Sequence, residues 1–150
     1  VVCESELVAI IGKKTSNVSE EDALEYVFGY TCGNDVSARD WQKNDGQWWR
    51  AKSSDTFSVA GPFIVTDLDI SDMMLRARVN GNEVQAESTK MFLFDLPTVI
   101  SHISQTITLE PGDMIFTGTP GSAAAIRDGD IVEIEVEGVG VLSNPVKKET

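Results

Sequence analysis

The chain has 150 residues and a formal net charge of −12, enough for one domain with a core of its own. The acidic excess speaks against a nucleic-acid partner and against anionic membrane surfaces. No stretch is long and apolar enough to span a bilayer, and no signal-peptide pattern occurs.

In chain order, Val1 to Ile11 reads as a first strand, apolar and partly β-branched in Leu7-Val8-Ala9-Ile10-Ile11 and stopped by Gly12. In a strand, side chains at i and i+2 share a face, so Glu4 and Glu6 converge and Ser5 points away. Two carboxylates so close repel unless a proton or a cation lies between them. The alternative is the solvent face of an edge strand. After a polar turn at Lys13 to Asn17, Ser19 with Asp22 predicts a capping box and a short helix over Glu20 to Tyr26. Val27 to Val36 is a second strand with Asp35 at its end, available as a third carboxylate. Three carboxylates without nearby Cys or His make a hard oxygen site, suited to Mg²⁺, Mn²⁺ or Ca²⁺ better than to Zn²⁺. Cys3 and Cys32, in apolar strands, read as buried free thiols.

Ser37 to Gln42 predicts a helical turn with Arg39 and Gln42 on one face. Asp45-Gly46 marks a turn before Trp48-Trp49-Arg50-Ala51-Lys52, of whose tryptophans at least one is expected in the core. A loop or short strand over Asp55 to Ala60 leads to a buried strand, Pro62 to Thr66. Leu75 to Val79 and Glu83 to Glu87 form a hairpin around a type I′ Asn80-Gly81 turn. Arg76, Arg78, Glu83, Gln85 and Glu87 are its expected solvent face. A second helix runs from Leu96 to about Gln105 with Asp95 as N-cap. Met114 to Thr117 is a buried strand, and Ile131 to Val136 with Val139 to Leu142 a closing hairpin. Many short strands and only two helices predict a mainly β (α+β) roll or barrel.

One set of blocks resembles the fumarylacetoacetate hydrolase family: Glu4-Ser5-Glu6-Leu7, Gly29-Tyr30-Thr31, Asn34-Asp35-Val36-Ser37-Ala38-Arg39-Asp40-Trp41-Gln42, Lys52 with Asp55-Thr56-Phe57, Gly61-Pro62, Val79-Asn80-Gly81, Pro111-Gly112-Asp113 and Thr117-Gly118-Thr119-Pro120. They stand in the family's order over nearly the whole chain, and the pattern is nearest to its small members. The resemblance implies the C-terminal β-roll catalytic domain of that family, spanning 1–150, with an N-terminal segment missing before Val1. It implies Glu4, Glu6 and Asp35 as ligands of Mg²⁺ or Mn²⁺, with Ca²⁺ as a further hard cation. It places Arg39, Gln42, Lys52 and Thr117 at the substrate, with Thr56 near the metal.

The implied substrate is a small anionic 2-oxo or β-dioxo acid, transformed through a metal-bound enolate. The reaction is C–C hydrolysis of acylpyruvate or fumarylacetoacetate type, oxaloacetate decarboxylation or keto–enol tautomerisation. The alternatives are a 2-oxo-dienoate isomerase or hydratase and a non-catalytic binder. Lys52 stabilises the enolate or moves a proton, and Arg39 grips a carboxylate unless it pairs with Asp40 or Glu4. A homodimer is implied, in the cytoplasm or mitochondria rather than secreted. His102, the only histidine, falls mid-helix and on no motif position, so it is expected to be a surface or packing residue. Gly121 to Ile126 departs from the family's glycine-rich loop.

Overall fold

The structure, a computed structural model, describes residues 1–149. Two four-stranded antiparallel sheets face each other. The first has the order β4-β3-β2-β7, built from β2 (Ser5–Ile11), β3 (Val27–Asn34), β4 (Val59–Val65) and β7 (Met114–Phe116). The second has the order β10-β9-β5-β6, built from β5 (Met74–Val79), β6 (Asn82–Ser88), β9 (Ile131–Val136) and β10 (Gly140–Pro145). The expected first strand is split: β1 (Val2–Cys3) leaves the sheet and pairs with β8 (Ala124–Ala125), so the loop after Pro120 is tied to the start of the chain. Glu4 lies at the break.

Every residue of β2 is buried, because its two faces are covered by different things. Leu7, Ala9 and Ile11 face the second sheet. With their cross-strand neighbours Cys32 and Tyr30 they pack on Leu75, Ala77, Ile134 and Val136 in one continuous core. Glu6, Val8 and Ile10 therefore take the opposite, outer face of the first sheet. Cys3 and Cys32 are buried free thiols, as expected.

Helices are α1 (Arg39–Asn44), α2 (Trp49–Ser53) and α3 (Leu96–Ser104), so among the described residues the α-helices number three rather than two. Asp95 caps α3 by accepting from the Thr98 N–H at 3.0 Å. The Ser19–Asp22 contact forms, with the Asp22 N–H on Ser19 Oγ at 3.2 Å, but the helix behind it is only a 3-10 turn, Ala23–Tyr26.

Three further expectations fail for local physical reasons. No tryptophan is in the core: α1 and α2 are helices of six and five residues outside the two sheets, too small to bury such rings. Trp48 and Trp49 stand exposed, and Trp41, also exposed, carries the Arg50 guanidinium over its ring at 4.6 Å from the centre. The strand at Pro62 to Thr66 exists within β4 but lies at the sheet edge, leaving Phe63 and Ile64 exposed. The hairpin turn is as predicted, with φ of +52° at Asn80 and +78° at Gly81. Its strands, however, carry a bulge: Arg78 opposes Glu83 whereas Ala77 opposes Gln85. The extra residue, Val84, shifts the alternation by one. Glu83 stays outside on Arg76, and Gln85 turns inward and is buried.

Gly33 lies opposite Glu6 on the outer face, and a Cβ there would come within 2.4 Å of Val8 Cγ2 and 2.7 Å of Phe116 Cε1. Gly33→Ala is expected to destabilise the fold by about 1–3 kcal/mol, the usual range for overpacking. Urea unfolding measures it, and an unchanged midpoint would show that the three-residue contact is slack.

Candidate metal and substrate site

The strand break and the end of β3 build the site together. The Glu4 N–H donates to Asn34 Oδ1 at 3.1 Å, and the Asp35 N–H donates to the Glu4 carbonyl at 3.1 Å. These bonds hold Asp35 beside Glu4 just past the β2–β3 ladder. Glu6, one pleat further along β2, points the same way. One carboxylate oxygen from each of Glu4, Glu6 and Asp35 lies within 4.8 Å of the others. Glu4 and Glu6 are 5% and 2% exposed, which removes the solvent-face alternative. Three convergent oxygen donors, two of them buried and Asp35 half-buried, free of thiol or imidazole, fit a hard divalent cation.

The protein's own cations are unequally shared among them. Lys52, on α2, donates to Glu4 Oε2 at 2.7 Å and also to Asp35 Oδ2. Arg39, the first residue of α1, donates to Glu4 Oε1, and its other terminal nitrogen donates to Gln42 Oε1 at 2.7 Å. Ser37 Oγ adds a bond to Glu4 Oε2 at 3.3 Å. Glu6 receives only the Gly118 N–H, at 2.8 Å.

The acidities follow. Burial works against ionising Glu4, but Lys52 and Arg39 outweigh it and its pKa falls. Burial raises that of Asp35, helped by the Glu4 charge and opposed by Lys52. Burial, with the charges of Asp35 and Glu4, raises Glu6 to about 7 in spite of the Gly118 bond. For Lys52, burial pulls downward, yet contact with Asp35 and Glu4 leaves its pKa raised. Its ammonium form is thereby favoured.

Of the residues singled out in the sequence, Glu4, Glu6, Asp35, Arg39, Gln42 and Lys52 come together. Arg39 takes the Glu4 pairing rather than one with Asp40. Thr117 is adjacent, but its hydroxyl donates to the Leu7 carbonyl at 2.8 Å, so that proton is engaged. Thr56 borders a separate cavity of about 610 Å³ with Asn34 and Val36. His102 is exposed on α3. Asn34, Ser37 and Gly118 stand in the sequence only as parts of longer blocks and Gln85 as an expected solvent-facing residue, because each acts through a bond to a neighbour that only the fold supplies.

A family model described as fumarylacetoacetate (FAA) hydrolase C-terminal matches residues 1–147. A solved structure described as 5-carboxymethyl-2-hydroxymuconate delta-isomerase from Mycobacterium smegmatis is 50% identical and superposes with a TM-score of 0.97 over 99% of this chain and 59% of that one. A fumarylpyruvate hydrolase from Pseudomonas aeruginosa, solved in complex with Mn²⁺ and pyruvate, is 29% identical with a TM-score of 0.91, covering 99% of this chain and 66% of that one. A mitochondrial oxaloacetate tautomerase of Xenopus laevis is 44% identical over 155 residues, 95% of this chain and 49% of the relative. The chain spans 54–62% of the length of the first curated relatives it matches.

The Glu6 acidity makes stability depend on pH with a definite sign. Its pKa of about 7 lies above the ordinary 4.5, so between those values the folded chain holds a proton that the unfolded chain has released. The stabilisation is complete below about pH 4.5 and is lost as the pH rises through about 7. Glu6→Gln, neutral throughout, is expected to flatten this slope. Urea midpoints across that window, in EDTA, measure it; the parent's slope retained in the variant would assign the proton to another group.

Proposed function

Because the chain belongs to the fumarylacetoacetate hydrolase family, we propose that it is the catalytic domain of a divalent-metal-dependent enzyme acting on a small 2-oxo or β-dioxo acid. The observation that carries this reading is the convergence of buried Glu4 and Glu6 with half-buried Asp35 within 4.8 Å, with Lys52 beside it. Keto–enol tautomerisation of oxaloacetate is the reaction we put first, since a relative 44% identical bears that activity in its name. Hydrolytic C–C cleavage, decarboxylation and isomerisation share the same enolate chemistry and remain members of the class.

Glu4, Glu6 and Asp35 would hold the cation, Mg²⁺ or Mn²⁺. When bound, it supplies Lewis acidity to the substrate's oxo group. The remaining residues have separate tasks. Lys52, protonated, would offer N–H donors to the substrate oxygen that carries the charge in the enolate form. Its attraction to that oxygen is stronger in the enolate than in the neutral ketone, and only such a difference raises turnover. Arg39 is about one-third exposed at its side chain and has donors beyond the two in use, which suit a substrate carboxylate. Gln42 accepts from Arg39 through Oε1, which leaves its amide N–H groups to orient substrate.

Two variants test the reading. Asp35→Ala is expected to abolish the rise in melting temperature given by Mg²⁺ or Mn²⁺ to the parent, because binding stabilises the folded state by mass action. Equal stabilisation of both would remove Asp35 from the ligand set. Lys52→Met keeps the aliphatic stem and removes the charge. Turnover of oxaloacetate, assayed with Mn²⁺ and with an EDTA control, is expected to fall about a hundredfold or more. Mn²⁺ affinity should not weaken, since the variant removes a cation from between Glu4 and Asp35. Undiminished turnover would take Lys52 out of the mechanism, and a parent inactive on every 2-oxo acid tried would favour a binding protein.

A further inference from the structure

The ladder between β2 and β7 ends at Val8 opposite Phe116, yet the chain beyond it stays attached to β2 as far as Ser5. One backbone bond continues it, from the Thr117 N–H to the Leu7 carbonyl at 3.2 Å, and side chains supply the rest. Thr117 Oγ1 donates to the Leu7 carbonyl and Thr119 Oγ1 to the Ser5 carbonyl, each at 2.8 Å. Between them Gly118, at φ +93°, aims its N–H at Glu6 Oε2. Gln85 reaches this seam from β6 of the opposite sheet. Its Nε2 donates to Thr119 Oγ1 at 2.8 Å and to the Pro120 carbonyl at 2.6 Å, and its Oε1 accepts from the Ser5 N–H at 3.3 Å. All its polar contacts are thus to the turn or to Ser5, the residue between Glu4 and Glu6. Ser5 is anchored on its other side by its hydroxyl, which donates to the Arg76 carbonyl on β5 at 3.2 Å.

We propose that Gln85 is a positioning residue for the carboxylate site: it clamps the Thr117–Pro120 turn and the Ser5 peptide together, so that Glu6 stays seated on the Gly118 amide with its carboxylate turned toward Glu4 and Asp35. Gln85 touches none of the carboxylates. It acts through Thr119 and Ser5, as partners behind the ligands do when they fix ligand orientation. The bulge at Val84 that turns Gln85 inward gives that irregularity a purpose. This inference rests on the reading that Glu4, Glu6 and Asp35 take a divalent cation.

The test measures Mn²⁺ binding by titration calorimetry on the intact protein, well below its melting temperature, together with the melting temperature in EDTA. Gln85→Leu keeps most of the volume and loses all three hydrogen bonds. Thr119→Val removes the hydroxyl at the other end, and Thr119→Ser retains it. Gln85→Leu and Thr119→Val are each expected to weaken Mn²⁺ binding about tenfold or more. The double variant is expected to bind little worse than the weaker single one, because both break one clamp. Thr119→Ser is expected to bind as the parent does. A residue that only supported the fold would lower the melting temperature and leave the Mn²⁺ affinity of the folded chain unchanged, and that result would overturn the proposal. Fully additive losses would overturn the route through Thr119. Should Gln85→Leu fail to fold, Thr119→Val against Thr119→Ser decides alone. A parent that binds no Mn²⁺ would sink the cation reading and this one with it, whereas a parent that binds, with variants that bind equally, sinks only this one.

Discussion

Three carboxylates gathered on a buried sheet face must be neutralised, and the surroundings of Glu4, Glu6 and Asp35 are organised by that demand. At such separations each like-charge pair repels by a few kcal/mol at the effective dielectric of a protein site, roughly 3–4 kcal/mol at ε of about 20. Two cations and a few N–H and O–H donors answer three acids. Glu4 has both Lys52 and Arg39 and is ionised readily. Asp35 has Lys52 alone, and burial with its neighbour's charge still raises it. Glu6 has no cation in contact and rises to about 7. The gradient runs along β2 away from α1 and α2, which carry the positive charge. The end furthest from the helices is the end where the deficit remains, and a divalent cation shared by all three acids would remove it.

That arrangement depends on sheet geometry before it depends on charge. The alternation along β2 sends Glu6 outward while Leu7, Ala9 and Ile11 pack inward, and Glu4, at the break just before β2, brings its carboxylate beside that of Glu6. The antiparallel register then delivers Asp35 to the side of Glu4 and places Gly33 opposite Glu6. Gly33 has no side chain to dispute the space taken by Val8 and Phe116. The same sheet whose inner face forms the core therefore holds the acids on its outer face, and α1 and α2 need only bring Arg39 and Lys52 over it.

What was legible in the sequence follows the same division. Glu-Ser-Glu before an apolar run discloses two acids on one face, because that needs only the period of a strand. The Asn80-Gly81 hairpin and the Asp95 cap were visible for the same local reason. The alternation of the hairpin points Gln85 to solvent, because the bulge at Val84, which reverses its facing, has no mark in the residues around it. The tryptophans were misplaced because large aromatic rings favour burial in general, while the short helices α1 and α2 supply nothing to bury them. The length of the helix after Ser19 failed similarly: the capping contact is local and formed, but the number of turns behind it was decided by the start of β3 at Val27. The resemblance to a known family located Arg39 and Lys52, which periodicity alone did not.

The position of Lys52 narrows the chemistry. A lysine that serves as a base needs its pKa brought down, and burial without partners does that. Here burial acts in that direction, but Asp35 and Glu4 act more strongly in the other. The ammonium is held by the acids that the cation reading assigns as ligands, so its charge and theirs are coupled. Whatever draws charge from those carboxylates loosens their hold on Lys52 and leaves more of its N–H donors for a substrate oxygen. A lysine so placed is suited to donating to an oxyanion as it forms. The donor and the three acceptors thus form one electrostatic unit, and its parts come from β2, the end of β3 and α2, elements that meet only in the folded chain.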